Sequence, residues 1–345
     1  MRGLDPRIHL SKKALDGSPG IRRRASLVPG NDKPRESMPA RLFLSSGDLI
    51  ADRRFEFARD LQLKGDLPAA ADVLEQAIEI APNFASAWFT LGEIRQKLGQ
   101  NEAAIAAFHK AREADPDDRH GATVWLMRLG AAQLSEMPRR YVETLFDQYA
   151  PRFEAALLGD LDYRAPQLLF KAVLSVRAAA KKPAFFRRAI DLGCGTGLAA
   201  SAFARHVDHF IGIDLSPKML DQARAAGLYE SLEACDMIDG LRHRPEASAD
   251  LVFAADAFVY VSDLLPVLSE ARRVLAPGGL IAFTVETHEG DGVTIGAGLR
   301  YAHGAEHVRK TVAAAGLKLA SCEQASPRTE DNKPVRGLVV VATRS

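Results

Sequence analysis

The sequence is short of three things, and each shortage excludes something. Its 345 residues include only three cysteines, Cys194, Cys235 and Cys322. They lie 41 and 87 residues apart, which is neither a disulfide framework nor a metal-ligand spacing, and a reducing cytoplasm is expected. Long apolar runs are missing as well. No window approaches the ~18 consecutive apolar residues of a membrane helix, and the N-terminus lacks the apolar core of a secretory signal, so neither insertion nor export is expected. Net charge is the third shortage. Lys+Arg number 45 and Asp+Glu 44, leaving +1, so there is no global pull toward nucleic acid or an anionic membrane. Recognition must be local.

What is present is ordinary for a folded chain: 47% apolar and 26% charged residues, enough for a sizeable core. At roughly 100 to 200 residues per domain the length argues for two domains. Residues 1–37 carry nine Lys/Arg against four acids, with scattered Pro and Gly and no periodicity, and are read as a disordered tail. Asp5, Asp16, Asp32 and four prolines spoil an amphipathic targeting helix. Because the apolar pattern starts after Met38, that residue is a candidate initiator.

Residues 38–137 are expected to be all-α. From residue 51 the chain repeats with a period of 34: Gly65 returns as Gly99, Ala70 as Ala104, Ala77 as Ala111 and Pro82 as Pro116. That period marks a tetratricopeptide-type helical hairpin, whose small residues let paired helices approach and whose proline stops the second helix. Trp88, Leu91, Gly92, Ala104, Phe108, Ala111 and Pro116 fit the pattern well. The first copy is degenerate, with Arg54, Phe57, Ala58 and Leu74 at the matching places. Since about three repeats are needed for an independent solenoid, residues 119–133 should add a capping helix or dock onto the next domain. The repeats offer either a protein-partner surface or a packing and self-association element.

Residues 138–345 read differently. Short apolar and β-branched runs at 188–192, 209–213, 250–254 and 279–285 alternate with helical stretches at 197–206, 217–226 and 263–275, which predicts a parallel sheet flanked by helices. The first strand runs into Asp191-Leu-Gly193-Cys194-Gly195-Thr196-Gly197, and a glycine-rich turn at a strand's carboxyl end is where open α/β sheets bind ligands. Asp214 ends the next strand 23 residues on, the separation expected of a carboxylate that reaches ribose hydroxyls. A dinucleotide site wants Gly or Ala where Leu198 stands, and Asp191 would repel a pyrophosphate but suits an ammonium group. A zwitterionic amino-acid moiety fits better than a phosphate.

These residues resemble the class I S-adenosylmethionine-dependent methyltransferases. Ala189-Ile-Asp-Leu-Gly-Cys-Gly-Thr-Gly197 resembles their first motif and Gly212-Ile-Asp-Leu215-Ser-Pro-Lys-Met-Leu220 their ribose-binding segment. Ala234-Cys-Asp236-Met237 resembles the adenine-contacting segment, Asp250-Leu-Val-Phe-Ala-Ala-Asp256 the fourth motif, and Arg273-Val-Leu-Ala-Pro-Gly-Gly-Leu280 the turn before the fifth strand. The resemblance covers about residues 141–345 and implies a Rossmann-like sheet with S-adenosylmethionine as cofactor. It implies that Asp236 accepts from the adenine amine while Met237 packs on the ring. The whole chain is similar to methyltransferases that carry amino-terminal tetratricopeptide repeats, whose shared segments resemble Tyr141–Ala150, Phe258–Tyr260 and Arg300–His303. Runs at 317–324 and 336–343 supply the terminal antiparallel hairpin that such a sheet requires.

Methyl transfer from a sulfonium is an in-line displacement on an activated carbon, so placement and water exclusion matter more than a dyad. His303 is the candidate general base, in a Gly-rich stretch (Gly290, Gly292, Gly296, Gly298) expected to be a substrate-covering loop; its alternative is to satisfy a backbone carbonyl. Arg300, with Tyr301 beside it, is expected to clamp an anionic substrate group or form an ion pair. Phe146 and Tyr149 share a helix face and are candidates to cover the sulfonium. Asp256 is a candidate for the cofactor's ammonium and Tyr260, one turn on, for substrate. The leading reading is methylation of a small-molecule acceptor, with repeats that dock a protein partner or dimerise. The alternatives are methylation of a protein- or carrier-bound substrate, and a cofactor-binding scaffold without turnover. Replacing Asp214 by alanine is expected to weaken cofactor affinity and leave the fold intact.

Overall fold

The computed structural model describes residues 42–155, 157, 159, 162–330 and 332–345. The expectations for residues 1–37 and for Met38 lie outside them. Helices α1 (Leu49–Leu63), α2 (Leu67–Ile80), α3 (Ala85–Lys97) and α4 (Asn101–Ala114) form two hairpins, followed by the short α5 (Ala122–Arg128). Side-chain caps start α1, α2 and α5. Asp48 accepts from the backbone N–H groups of Ile50 and Ala51, Asp66 from that of Ala69, and Asp118 from those of Ala122 and Thr123, each satisfying donors that a helix leaves open at its N-terminus. Gly92 is explained by contact. A Cβ there would meet the Phe108 ring at 2.7 Å, so only glycine lets α3 and α4 close. On its other side Phe108 stacks on Trp125 of α5, with ring centroids 5.3 Å apart, which carries the repeat core into the third, shortened unit.

After α6 (Arg139–Tyr149), the one-turn α7 (Phe153–Ala155) and α8 (Ala165–Ala179), strands and helices alternate: β1 (Phe186–Leu192), α9 (Leu198–Phe203), β2 (Val207–Asp214), α10 (Pro217–Ala226), β3 (Tyr229–Ala234), α11 (Met237–Arg242), β4 (Ala249–Ala254), α12 (Leu264–Val274) and β5 (Leu275–Glu286). Then come β6 (Val293–Ile295), β7 (Tyr301–His303), α13 (Ala305–Ala314), β8 (Lys318–Ala325), β9 (Thr329–Glu330), β10 (Lys333–Pro334) and β11 (Gly337–Thr343). Among the described residues the main sheet runs β3-β2-β1-β4-β5-β11-β8, parallel through β5, with β11 antiparallel to both β5 and β8. The period of two sorts its side chains. Ala189, Leu251, Phe253, Ala282 and Val341 pack with α8 and α9, whereas Ile190, Leu192, Val252, Ile281 and Val340 pack with α12 and α13. Both faces are therefore buried, as a doubly wound sheet demands. The order reverses between β1 and β4, and the loops leaving those two strands meet there.

One expectation is corrected. The Gly-rich stretch after β5 is a two-stranded ribbon, β6 paired with β7, and β7 also pairs with β5. Leu299 and Ile295 pack toward the repeat end, Leu299 in the cluster of Phe108 and Trp125, while Arg128 donates to the carbonyl of Ala297 at 3.1 Å and Tyr301 to that of Ser135. Apolar burial has won over the loop-forming tendency of the glycines. No described helix is long and apolar enough to cross a membrane, and the three cysteines are free.

Candidate active site

β1 ends at Leu192 and the chain turns through Gly193, Gly195 and Gly197, at φ +66°, +53° and +95°. Those values belong to the left-handed region that favours glycine. Gly193 is fixed twice, since a Cβ there would also sit 2.5 Å from the Cβ of Ala257 in the loop after β4. The backbone N–H groups of Gly193 and Cys194 donate to the carbonyl of Ile213, which ties the turn to β2. Above Gly195 there is room, the nearest atom to a built Cβ being in the Phe153 ring at 3.5 Å.

Two carboxylates frame this turn. Asp191 is fully buried; its Oδ2 accepts from the Tyr229 hydroxyl at 2.7 Å, and its Oδ1 has no partner. Burial pushes its carboxyl up to about 7, against the Tyr229 hydrogen bond. Thr196 adds a second buried oxygen without a partner. Asp214, at the end of β2, accepts from the N–H of Gly195 through Oδ2 and of Ser216 through Oδ1, both at 2.8 Å. Burial raises its carboxyl to about 6, and those two bonds pull the other way. Leu215 beside it packs partly buried near Phe146 and Tyr260. Cys194 is buried, and burial pushes its thiol up, so it is a small packed residue rather than a nucleophile.

Asp236 begins α11 by accepting from the N–H of Ile238 at 2.9 Å, with Arg139 3.7 Å away, and Met237 lies partly buried on the main core. From the other side α6 closes in. Asp147 accepts from the Ser216 hydroxyl at 2.6 Å and the N–H of Lys218 at 3.3 Å, and Gln222 donates to the carbonyl of Ala150. This docking sets Phe146 against Tyr260 (5.2 Å between centroids) and Tyr149 against Phe153 (5.6 Å), all edge to face. Phe153, the neighbour of Gly195, thus belongs to the same aromatic group.

At the carboxyl ends of β4 and β5 sits an ion network centred on Arg328, a residue the sequence does not single out, in which Arg300 takes the ion-pair alternative expected of it. Arg328, 3% exposed, donates to Asp256 at 2.5 Å, to Glu330 at 2.9 Å and to Glu286. Arg300 donates to Glu286 at 2.6 Å and to Glu330. Asp256 stands at φ +58°, and burial raises its carboxyl despite the two guanidinium groups. The candidate roles of several residues change accordingly. Asp256 is already held through both oxygens by Arg328, and Arg300 has its fork engaged by carboxylates. Tyr301 is fully buried at the ribbon. His303 is also fully buried: its Nε2 lies 3.1 Å from the carbonyl of Val261, to which it donates, and burial drops the ring to about 4. A neutral imidazole serving a backbone carbonyl is what the geometry gives. Arg328 escapes a reading of the sequence because it stands in a short polar loop with no periodic context; Tyr229 escapes it because β3 mixes charged and apolar residues.

A glycine turn at the switch point, flanked by two buried acids, marks the candidate site of a Rossmann-like domain. Both halves of the chain are similar to known proteins. The family described as Methyltransferase domain matches residues 190–283, and the one described as Tetratricopeptide repeat matches residues 61–124. Methyltransferase-like protein 27 of Homo sapiens is 33% identical over 144 residues, 41% of this chain and 57% of that protein. Malonyl-[acyl-carrier protein] O-methyltransferase of Halorhodospira halophila is 32% identical over 161 residues, 46% of this chain and 51% of that one. A solved structure, 1,6-didemethyltoxoflavin-N1-methyltransferase of Burkholderia thailandensis with bound 1,6-didemethyltoxoflavin and S-adenosylhomocysteine, shares 17% identity at a TM-score of 0.46, over 62% of this chain and 92% of that one. Residues 190–283 of the chain thus match a methyltransferase domain. The chain joins that domain to tetratricopeptide repeats. The chain spans about half the length of these two curated relatives, 57% and 51%.

Proposed function

We propose that the chain transfers a methyl group from S-adenosylmethionine to a small-molecule acceptor. The observation that carries this reading is the unpartnered Oδ1 of Asp191, buried beside a turn of three left-handed glycines. A buried carboxylate oxygen without a donor is costly unless something supplies one, and an ammonium group does so. The residues therefore fit the cofactor. Asp191 would receive its ammonium, Gly193, Cys194, Gly195, Thr196 and Gly197 would pass beneath it, and Asp214 with Leu215 would hold the ribose. Asp236 and Met237 would take the adenine. When bound, the cofactor supplies a methyl carbon activated by a sulfonium.

The chain's own part is placement. Phe146, Tyr149 and Phe153 cover the turn, and their faces suit a positive sulfur while their bulk excludes water. Tyr260 stands between this aromatic group and Arg300, at the place for an acceptor. With His303 buried on Val261 and burial pushing the Tyr260 phenol above its ordinary range, deprotonation of an acceptor falls to Tyr149 or is not needed, as for a carboxylate acceptor. A second reading, methylation of a carrier- or protein-bound group, is supported by the packing of the repeat end on the β6–β7 ribbon. The test is calorimetry with S-adenosylmethionine and S-adenosylhomocysteine, then a methyl-transfer screen over free acids, amines and phenols and over carrier-bound acids. Turnover of a free acceptor supports the first reading and of tethered acceptors alone the second. Binding without any turnover leaves a scaffold.

A further inference from the structure

Residues 163–190 hold seven Lys/Arg and no acid, a local excess that the whole-chain balance of +1 conceals. They form α8, the turn after it and most of β1. Where α8 ends against the starts of β5 and β8 and the end of β11, a cavity of about 270 Å³ opens, lined among others by Val176, Leu280 and Leu319 and by three cations, Arg177, Lys182 and Lys318. No acid lines it. Because β1 and β5 run the same way, each parallel to β4, the cavity lies at the end of the sheet opposite to the glycine turn. The cofactor and acceptor sides do not reach it.

Three cations around one concavity repel one another, and their surroundings do not account for them. Among the described residues neither Lys182 nor Lys318 has an ion-pair partner. Cations near a helix C-terminus ordinarily answer the open carbonyls there. Here the backbone already does so: the N–H of Ala180 donates to the carbonyl of Val176 at 3.1 Å, that of Lys181 to Ala178 at 2.9 Å and that of Lys182 to Arg177 at 2.9 Å. Arg177 is fixed through its Nε, which donates to the Pro183 carbonyl at 2.8 Å, and by the Phe186 ring 5.0 Å away. Its outer nitrogens stay free among the described residues. Lys182 leans over Gly278, where a built Cβ would lie 3.0 Å from the ammonium nitrogen, so only glycine leaves that ammonium its place on the rim. Lys181, at φ +54° where glycine is less strained, adds a further positive charge beside it.

We propose that this cavity binds a small amphipathic anion, its charged head among Arg177, Lys182 and Lys318 and its apolar part on Val176, Leu280 and Leu319. The unpaired cations set the charge of the ligand, and the apolar floor sets its other half, since a bare inorganic anion would leave that floor wet. The volume sets the size. It is at the small end for ligand sites and takes a short chain rather than a two-chain lipid. The site is independent of methyl transfer, and its test reads anion binding alone.

The probe is octanoate, titrated calorimetrically against the full chain at fixed ionic strength, with acetate, butyrate and hexanoate as its shorter relatives. One octanoate binds per chain, and affinity rises about two- to fourfold for each added CH₂ that the cavity buries. Protonated octylamine does not bind. In Lys182→Met with Lys318→Met the octanoate affinity falls about tenfold. In Ala320→Phe, which fills the cavity and keeps every cation, octanoate binds no better than acetate. The chain-length series needs no variant, so it decides the matter even where a substitution lowers the melting temperature. Equal affinity for acetate and octanoate overturns the proposal, as does octanoate binding that a well-folded Ala320→Phe leaves unchanged. Capture of the chain by phosphatidylglycerol vesicles, with no saturable binding of octanoate, would give the cations to a lipid surface and overturn it as well.

Discussion

The hydroxyl of Tyr229 donates to Oδ2 of Asp191 at 2.7 Å and leaves Oδ1 buried and bare. The tyrosine comes from β3, the sheet's edge, and reaches over β2 to the end of β1. It thus holds the carboxylate on one side and presents it on the other.

A pH dependence results. With its carboxyl at about 7 in the fold, against 3.8 as the ordinary value, Asp191 is protonated in the free protein at lower pH, and ammonium binding must expel that proton. The dissociation constant of S-adenosylhomocysteine should fall as pH rises through about 7 and then level, with proton release seen as a buffer-dependent calorimetric heat. The effect on the fold has the opposite sense. The folded state binds the extra proton, so this residue's contribution to stability is full below about 4 and is lost as pH rises through about 7. In Asp191→Asn, the affinity should be lower and flat with pH.

Asp214→Ala should do more than remove a ribose ligand. The carboxylate accepts from Gly195 and Ser216, so its loss strands two N–H groups at the turn, at a cost of ~1–3 kcal/mol each if they stay dry. We expect a lower melting temperature together with ~10- to 100-fold weaker cofactor binding, and both should be milder in Asp214→Asn. An unchanged melting curve with weakened binding would restore the simpler sequence-based expectation of an intact fold.

The glycine turn was legible because its chemistry is local: an apolar strand, three glycines in seven residues, and an acid at the end of the next strand. The repeats were legible through Gly92 and Ala104, whose smallness a 34-residue period makes visible. What stayed hidden depends on distant partners. Tyr229 opens a strand of mixed polarity, and nothing near it in sequence points to Asp191, 38 residues away. Arg328 finds Asp256 and Glu286 only through the turn that joins β8 to β11. Tyr301 and His303 misled because the glycines around them suggested a loop, whereas pairing with β5 and β6 buried them.

Arg328→Met tests the ion network. Removing a 3% exposed guanidinium leaves Asp256, Glu286 and Glu330 with Arg300 alone, and breaking such a buried pairing costs ~3–5 kcal/mol. Denaturant unfolding should show that loss. In the double variant Arg328→Met with Asp256→Asn the loss should be smaller, because one uncompensated charge is gone. Additive losses would mean that the two residues do not act on each other.

Gly92→Ala probes the repeats. The added Cβ would lie 2.7 Å from the Phe108 ring, and overpacking of this kind costs ~1–3 kcal/mol. Phe108→Leu in the same chain should recover part of it, read by thermal unfolding. If Gly92→Ala raises the melting temperature, helix propensity dominates and the close approach of α3 and α4 is not what stabilises the hairpin.

The most direct test of the cofactor assignment is calorimetry on the unaltered chain with S-adenosylhomocysteine and, separately, NADH. Saturable binding of the first, absent for NADH and weakened in Asp191→Asn, is the predicted result. Saturable binding of NADH at the turn, with no heat from S-adenosylhomocysteine at concentrations on the order of 1 mM, would contradict the account.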